Sequence, residues 1–270
     1  MAALTRILTL GLLILLVPVR ADEPPVKKGP GTSTQSRIEK KTYHFKEAGK
    51  DMEYALFVPS KYDKAKKTPL VVALHGLGSN PRQIMHYPGL TDQAEKHGFI
   101  VVAPMGYNSR GWYGARSMVK GRTEEPKNLG ELSEKDVMNV LAIVRKEYNV
   151  DPERFYLMGH SMGGGGTWHL ALKNPDLWAA LAPIAPATLR RPDELEKIKH
   201  IPVILVQGDA DRLVKVERVR PWAEQMKKLG MTHEYIEVAG GDHVTVAFKN
   251  LPRIFAFFSE HKRVAKGKEK

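Results

Sequence analysis

The chain has no cysteine among its 270 residues. That absence excludes disulfide frameworks, thiolate zinc sites, iron–sulfur clusters and a cysteine nucleophile. Long hydrophobic runs are scarce too. The single one, residues 7–17, carries Thr9 and Gly11 inside it and falls well short of the ~20 residues that a spanning helix needs. There is no H-E-x-x-H and no close cluster of His with Asp, so no metal site is expected. A G-x-G-x-x-G is missing as well, which argues against a dinucleotide fold. Acidic residues are the scarcer charge, 30 against 42 Lys and Arg, giving a formal net charge of +12. Such an excess favours weak attraction to anionic surfaces and says nothing about fold.

What is present is an ordinary globular composition, 42% hydrophobic and 27% charged, which excludes collagen, coiled coil and wholesale disorder. The length suits one larger α/β domain. Residues 1–21 have the layout of a secretory signal peptide: a short start bearing Arg6, the apolar run, then Val19, Arg20 and Ala21 before a cleavage point. Export to the periplasm or beyond is the expectation, with no membrane span left after cleavage. Residues 22–40, with Pro24, Pro25, Gly29, Pro30 and Gly31, read as a flexible linker. Residues 41–261 form the folded domain, and 262–270 a basic tail. That tail reads as a solvated terminus, so no nucleic-acid partner is expected. Oligomeric state is not legible.

Within the domain, residues 42–48 and 53–58 alternate in period two, as an opening hairpin does. Continuous apolar runs follow at 70–74, 100–103, 155–158, 179–184 and 203–206. Such runs suit strands buried on both faces of a parallel sheet. Helical stretches separate them. Val137, Val140, Leu141, Val144 and Tyr148 make one apolar stripe, with Ser133 and Asp136 placed as a capping box. Pro221 opens and Gly230 closes another helix. Alternation of this kind predicts right-handed crossovers and a mostly parallel sheet covered by helices on both faces, with an antiparallel hairpin at its start.

The segment Gly159-His160-Ser161-Met162-Gly163 matches G-x-S-x-G between a buried strand and a predicted helix over 162–173. A serine on that sharp turn is lifted above the carboxyl end of the sheet. Ser161 is the candidate nucleophile, and glycines two residues either side leave room for neighbouring backbone. A serine needs a base, and the base an orienting carboxylate, both downstream in elbows of this type. His243 lies in the glycine turn after the strand-like 234–238, whereas His233 sits at the strand's entry and His261 near the tail. His243 is therefore the candidate base. The acid belongs in Gln207-Gly208-Asp209-Ala210-Asp211, after the 203–206 strand. Gly208, Asp211 and Val214 resemble a G-x-x-D-x-x-V arrangement of serine hydrolases, favouring Asp211 over Asp209. An oxyanion hole needs backbone donors; Met162 and, in the loop His75-Gly76-Leu77-Gly78, Leu77 are the candidates.

Together these residues resemble the α/β-hydrolase superfamily, over nearly the whole domain. Within it, the segment from Asn149 to Gly164 is similar to exported esterases related to polyhydroxybutyrate depolymerases and feruloyl esterases, and to the catalytic domain of prolyl oligopeptidases. The chain departs from the depolymerases in lacking cysteine and an appended polymer-binding domain, and from the oligopeptidases in lacking a propeller. The resemblance implies no cofactor and a carboxylic-ester hydrolase working on a small-molecule or polymeric ester. A peptidase, thioesterase or acyltransferase on the same triad, or a non-catalytic binding protein, are the alternatives. Residues 105–132 form a long, glycine-rich segment leaving a parallel strand's carboxyl end, where ligands bind in such sheets. Its Trp112 is the candidate substrate-binding aromatic, and with no helical lid the site is expected to prefer short-chain or aryl esters.

Overall fold

The computed structural model describes residues 33–118 and 125–263. The expected signal peptide, most of the expected linker and residues 264–270 of the tail lie outside them. Eight strands make one sheet: β1 (Glu39–Phe45), β2 (Lys50–Phe57), β3 (Thr68–Leu74), β4 (Ile100–Pro104), β5 (Val150–His160), β6 (Ala180–Ile184), β7 (Val203–Gly208) and β8 (His233–Val238). Their order is β1-β2-β4-β3-β5-β6-β7-β8. β1 and β2 are the antiparallel hairpin, Thr42 facing Glu53. β2 also runs antiparallel to β4, and β4 through β8 are otherwise parallel.

Seven helices cover this sheet among the described residues: α1 (Pro81–Met85), α2 (Leu90–His97), α3 (Leu129–Glu147), α4 (Met162–Lys173), α5 (Arg220–Lys228), α6 (Val246–Lys249) and α7 (Leu251–Glu260). The unbroken apolar runs are explained by two cores. In β3 every residue is buried. Leu70, Val72 and Leu74 join one core with Val137, Val140, Trp168 and Trp222 of α3, α4 and α5. Val71 and Ala73 join the other with Ile84, Leu90, Phe255 and Phe258 of α1, α2 and α7. Each large apolar side chain so buried contributes roughly 1.5–3 kcal/mol. The edge strands β1 and β8, by contrast, are mostly half-exposed and carry polar residues.

The connections determine where a ligand can enter. The crossover from β3 to β4 carries α1 and α2, and the crossover from β4 to β5 carries α3 on the opposite face. β4 lies to one side of β3 and β5 to the other. The strand order reverses there, so the loops leaving β3 and β5 diverge and open a crevice at the carboxyl edge.

Two local expectations are corrected. The linker does not reach Lys40: a 3-10 turn at Thr34–Arg37 precedes β1, with Thr34 Oγ1 donating to Asp92 and Arg37 paired with Glu95. The Ser133 capping box does not form either, because α3 begins at Leu129, one turn earlier. Ser133 is buried and donates to the Gly106 carbonyl at 2.7 Å. The Asp136 carboxylate accepts from the N–H groups of Gly106 and Tyr107 and from the Tyr43 hydroxyl. These two side chains pin the start of the 105–118 loop to α3.

Candidate active site

β5 ends at His160 and α4 starts at Met162, which leaves Ser161 alone in the turn. Its backbone sits at φ 58°, ψ −115°, a strained conformation for a residue with a side chain. Three bonds enforce it. Ser161 N–H donates to the Ile184 carbonyl, and the Ser161 carbonyl accepts from Gly165 and Ala187. The flanking glycines are obligatory. A Cβ at Gly159 would stand 2.2 Å from the Gly163 carbonyl oxygen, and one at Gly163 2.1 Å from that of Leu74. The glycines that follow have another reason. Gly164 and Gly165 admit the backbone of Pro186 and Ala187, and Gly166 admits the Tyr113 ring. α4 is thus close-packed on the loops after β6 and β4 as well as on the sheet.

The loops after β7 and β8 bring Asp211 and His243 together. His243 Nδ1 lies 2.7 Å from Asp211 Oδ2, and both side chains are buried. Asp211 Oδ1 accepts from the N–H groups of Leu213 and Val214. Gln207 Nε2 adds a bond to Oδ2. Burial pushes the Asp211 carboxyl up, but the bonds from His243, Val214 and Leu213 outweigh it and hold the group below the usual range. An ionised carboxylate only accepts. Nδ1 therefore carries the proton, which leaves Nε2 as the basic nitrogen. Asp209 is elsewhere: its carboxylate accepts from Gly240 N–H at 2.7 Å. Asp242 caps its own turn through Val244 and Thr245. His233 opens β8 at the far edge of the sheet, and His261 follows α7.

Ser161 is half-buried. His160, its neighbour, places its ring 4.8 Å from the His243 ring. Among the described residues no hydrogen bond joins Ser161 Oγ to His243; such bonds often tighten only with substrate in place. The backbone N–H groups of Leu77 and Met162 have no protein acceptor among the described residues. Both belong to loops at the crevice, after β3 and β5. His75 is fully buried and bridges to the Met105 carbonyl at 2.9 Å, and burial lowers its ring pKa. It ties the loop after β3 to the loop after β4.

Trp112 has φ 55°, packs partly buried against the core and carries the Arg116 guanidinium over its ring at 5.3 Å. Tyr113 is fully buried, its hydroxyl on the His75 carbonyl. Sequence reasoning missed two groups. Tyr87 donates to His160 Nδ1, with 2.8 Å between oxygen and nitrogen. Glu134, His169 and Arg190 form a partly buried polar cluster at α4. No motif signals either, because their partners are brought together only by the sheet.

A family model described as "Putative esterase" matches residues 46–258. The chain is 32% identical over 147 residues to S-formylglutathione hydrolase of Rattus norvegicus, which covers 50% of the chain and 51% of that protein. The chain therefore spans about half the length of the curated relatives it matches. A thermostable esterase of known structure superposes with TM-score 0.67 at 26% identity, covering 85% of this chain and 64% of that one. A ferulic acid esterase from Anaeromyces mucronatus, solved with ferulic acid, gives TM-score 0.66 at 20% identity over 83% of this chain and 90% of that one. That last likeness shows the shared α/β-hydrolase fold.

Proposed function

We propose, since the chain belongs to the esterase family, that it hydrolyses carboxylic esters through an acyl-enzyme on Ser161. The observation that carries this is the Asp211–His243 pair: its Nε2 is free of protein partners among the described residues, Ser161 sits strained in the turn after β5, and two N–H groups after β3 and β5 are unbonded. In this reading His243 takes the Ser161 proton as Oγ attacks the ester carbonyl. The Leu77 and Met162 N–H groups bind the tetrahedral oxygen, His243⁺ protonates the leaving alcohol, and water repeats the sequence to free the acid. Asp211 holds the imidazole in the productive tautomer and stabilises its charge. No cofactor enters.

An uncharged, apolar substrate suits the surroundings. The large apolar side chains exposed among the described residues are Leu77, Leu189, Leu213 and Val244. Each sits on a different loop at the carboxyl edge, after β3, β6, β7 and β8. Short-chain or aryl esters fit this open rim, and Trp112 is our candidate for a wall against the aryl group. A thioester is the second reading, favoured by the likeness to S-formylglutathione hydrolase. We also infer export from residues 1–21, which lie outside the described residues; no described helix is long and apolar enough to cross a membrane.

The decisive test is Ser161→Ala. It is expected to cost about 10³-fold or more in kcat on p-nitrophenyl butyrate, with the thermal transition preserved and labelling by a fluorophosphonate lost. Retention of more than a few per cent of activity would show another nucleophile.

A further inference from the structure

We propose that Tyr87 and His160 form a neutral relay that positions the backbone of His243, making the residue before the nucleophile a positioning residue for the base. The proposal rests on the reading of His243 as base. His160 Nε2 lies 2.8 Å from the His243 carbonyl oxygen, and Tyr87 Oη lies 2.8 Å from His160 Nδ1. A carbonyl oxygen can only accept, so Nε2 carries the proton and Nδ1 accepts from the Tyr87 hydroxyl. Both ring nitrogens are thereby used, and the direction of each bond is determined.

The base loop needs such a hold. It contains Gly240 and Gly241, with Gly240 at φ 64°. Asp211 holds the His243 ring at Nδ1 alone. A ring bonded at one nitrogen still pivots about that bond. With the carbonyl of the same residue fixed as well, main chain and ring are both anchored, which sets where Nε2 points. Positioning at this level matters because small misplacements of a catalytic group cost large factors in rate. Tyr87 reinforces the hold from the other end. Its ring packs edge-on against Phe248 of α6, the helix that follows the base loop, and against His160. Tyr87 also lines an open cavity of about 480 Å³ with Leu77 and His86, so the relay joins the oxyanion loop to the base loop.

Neutrality is part of the device. Burial, with repulsion from His243 added, pulls the His160 ring down to about 4, and burial pushes the Tyr87 phenol up to about 12. A protonated His160 would reverse the bond to Tyr87, with Nδ1–H donating to the phenol oxygen. It would also put a second positive charge 4.8 Å from His243, against the imidazolium that forms during acyl transfer.

The test uses the full chain with three variants: His160→Leu, His160→Gln and Tyr87→Phe. Gln retains an N–H donor for the His243 carbonyl and an oxygen for the Tyr87 hydroxyl. On p-nitrophenyl butyrate, His160→Leu is expected to lower kcat about 10-fold or more with KM within about 2-fold, the mark of a lost transition-state geometry. His160→Gln should recover most of that loss, and Tyr87→Phe should lower kcat about 3-fold to 10-fold at unchanged KM. Fluorophosphonate labelling rates should fall in the same order. A wild-type rate in His160→Leu overturns the relay, as do equal losses in His160→Leu and His160→Gln. Tyr87→Phe decides the matter if His160→Leu does not fold: an unchanged kcat overturns the relay there too. A wild-type chain that the probe does not label overturns the hydrolase reading itself, an outcome distinct from all of these.

Discussion

Two carboxylate–histidine pairs with a buried histidine stand at nearly the same distance among the described residues. Asp211 meets His243 at 2.7 Å and Glu134 meets His169 at 2.6 Å. Both carboxyls are held below the usual range, although burial pushes each of them up. The difference is at the second ring nitrogen. His169 Nδ1 accepts from the Arg190 guanidinium at 2.9 Å, and Arg190 is paired in turn with Glu194. His243 Nε2 has no protein partner among the described residues. A carboxylate at hydrogen-bond distance thus orients a histidine without making it a base. In the proposed mechanism the unoccupied nitrogen does that, and the Glu134–His169 pair, capped at both ends, ties α3, α4 and the loop after β6 together instead.

The sharpest way to break this contrast is to remove one charge from each pair. Asp211→Asn should lower kcat by roughly 10²–10⁴, because an amide favours the wrong imidazole tautomer. Asp209→Asn, whose carboxylate serves only Gly240, should be mild. Glu134→Gln should leave kcat within about 3-fold. Steady-state kinetics on one soluble ester ranks the three. Comparable losses in Asp211→Asn and Glu134→Gln would mean that the two pairs are not functionally distinct.

The candidate catalytic pair was legible because its members follow strands. An apolar run predicts a strand, and its carboxyl end places the next loop at the crevice, so Ser161, Asp211 and His243 could be named from order and position. Asp211 could be separated from Asp209 only by register within the loop. His169 was not legible, since nothing in α4's sequence says that Glu134 and Arg190 stand beside it. The same holds for Tyr87, which meets His160 across 73 positions of sequence. Ser133 misled for a related reason: its spacing to Asp136 suits a cap, but both side chains are claimed by the loop after β4.

The pairs differ also in their neighbours, an uncharged His160 beside the catalytic pair against Arg190 at the other, and this has a signature in pH. The His160 ring titrates near 4 when folded, against an ordinary 6.5. Between these values the unfolded chain binds a proton that the folded chain does not, so stability rises with pH across the window. Lowering pH from about 6.5 to about 4 should therefore remove ~3 kcal/mol. Asp211 and Glu134 act below that window: their contribution is present above the usual carboxylate range and lost as pH falls through their depressed folded values. Urea unfolding at half-unit pH steps should show both phases, and His160→Gln should flatten the upper one alone. An unchanged upper slope in that variant would show that His160 is not the group responsible.

The smallest expected effect decides whether the 105–118 loop serves the proposed substrate site or the Glu134–His169 pair. A side chain at Gly114 would overlap the Glu134 carboxylate, while Gly78 N–H donates to the Ser109 carbonyl, joining the loop to the oxyanion segment. Trp112 sits between these contacts, its indole Nε1 buried without a hydrogen-bond partner among the described residues. If its ring walls the substrate site, Trp112→Ala should raise KM for an aryl ester about 3-fold to 10-fold and leave KM for an acetate ester nearly unchanged. Ring contact of that kind is uniform binding, which a small acyl group cannot use. If the ring serves only to fasten the loop over Glu134, KM for both esters should stay level while the melting temperature falls by several degrees, as expected for a lost ~1–3 kcal/mol of packing. Measuring both quantities on one preparation separates the two roles, and a fall in melting temperature with no change in either KM would remove Trp112 from the substrate site.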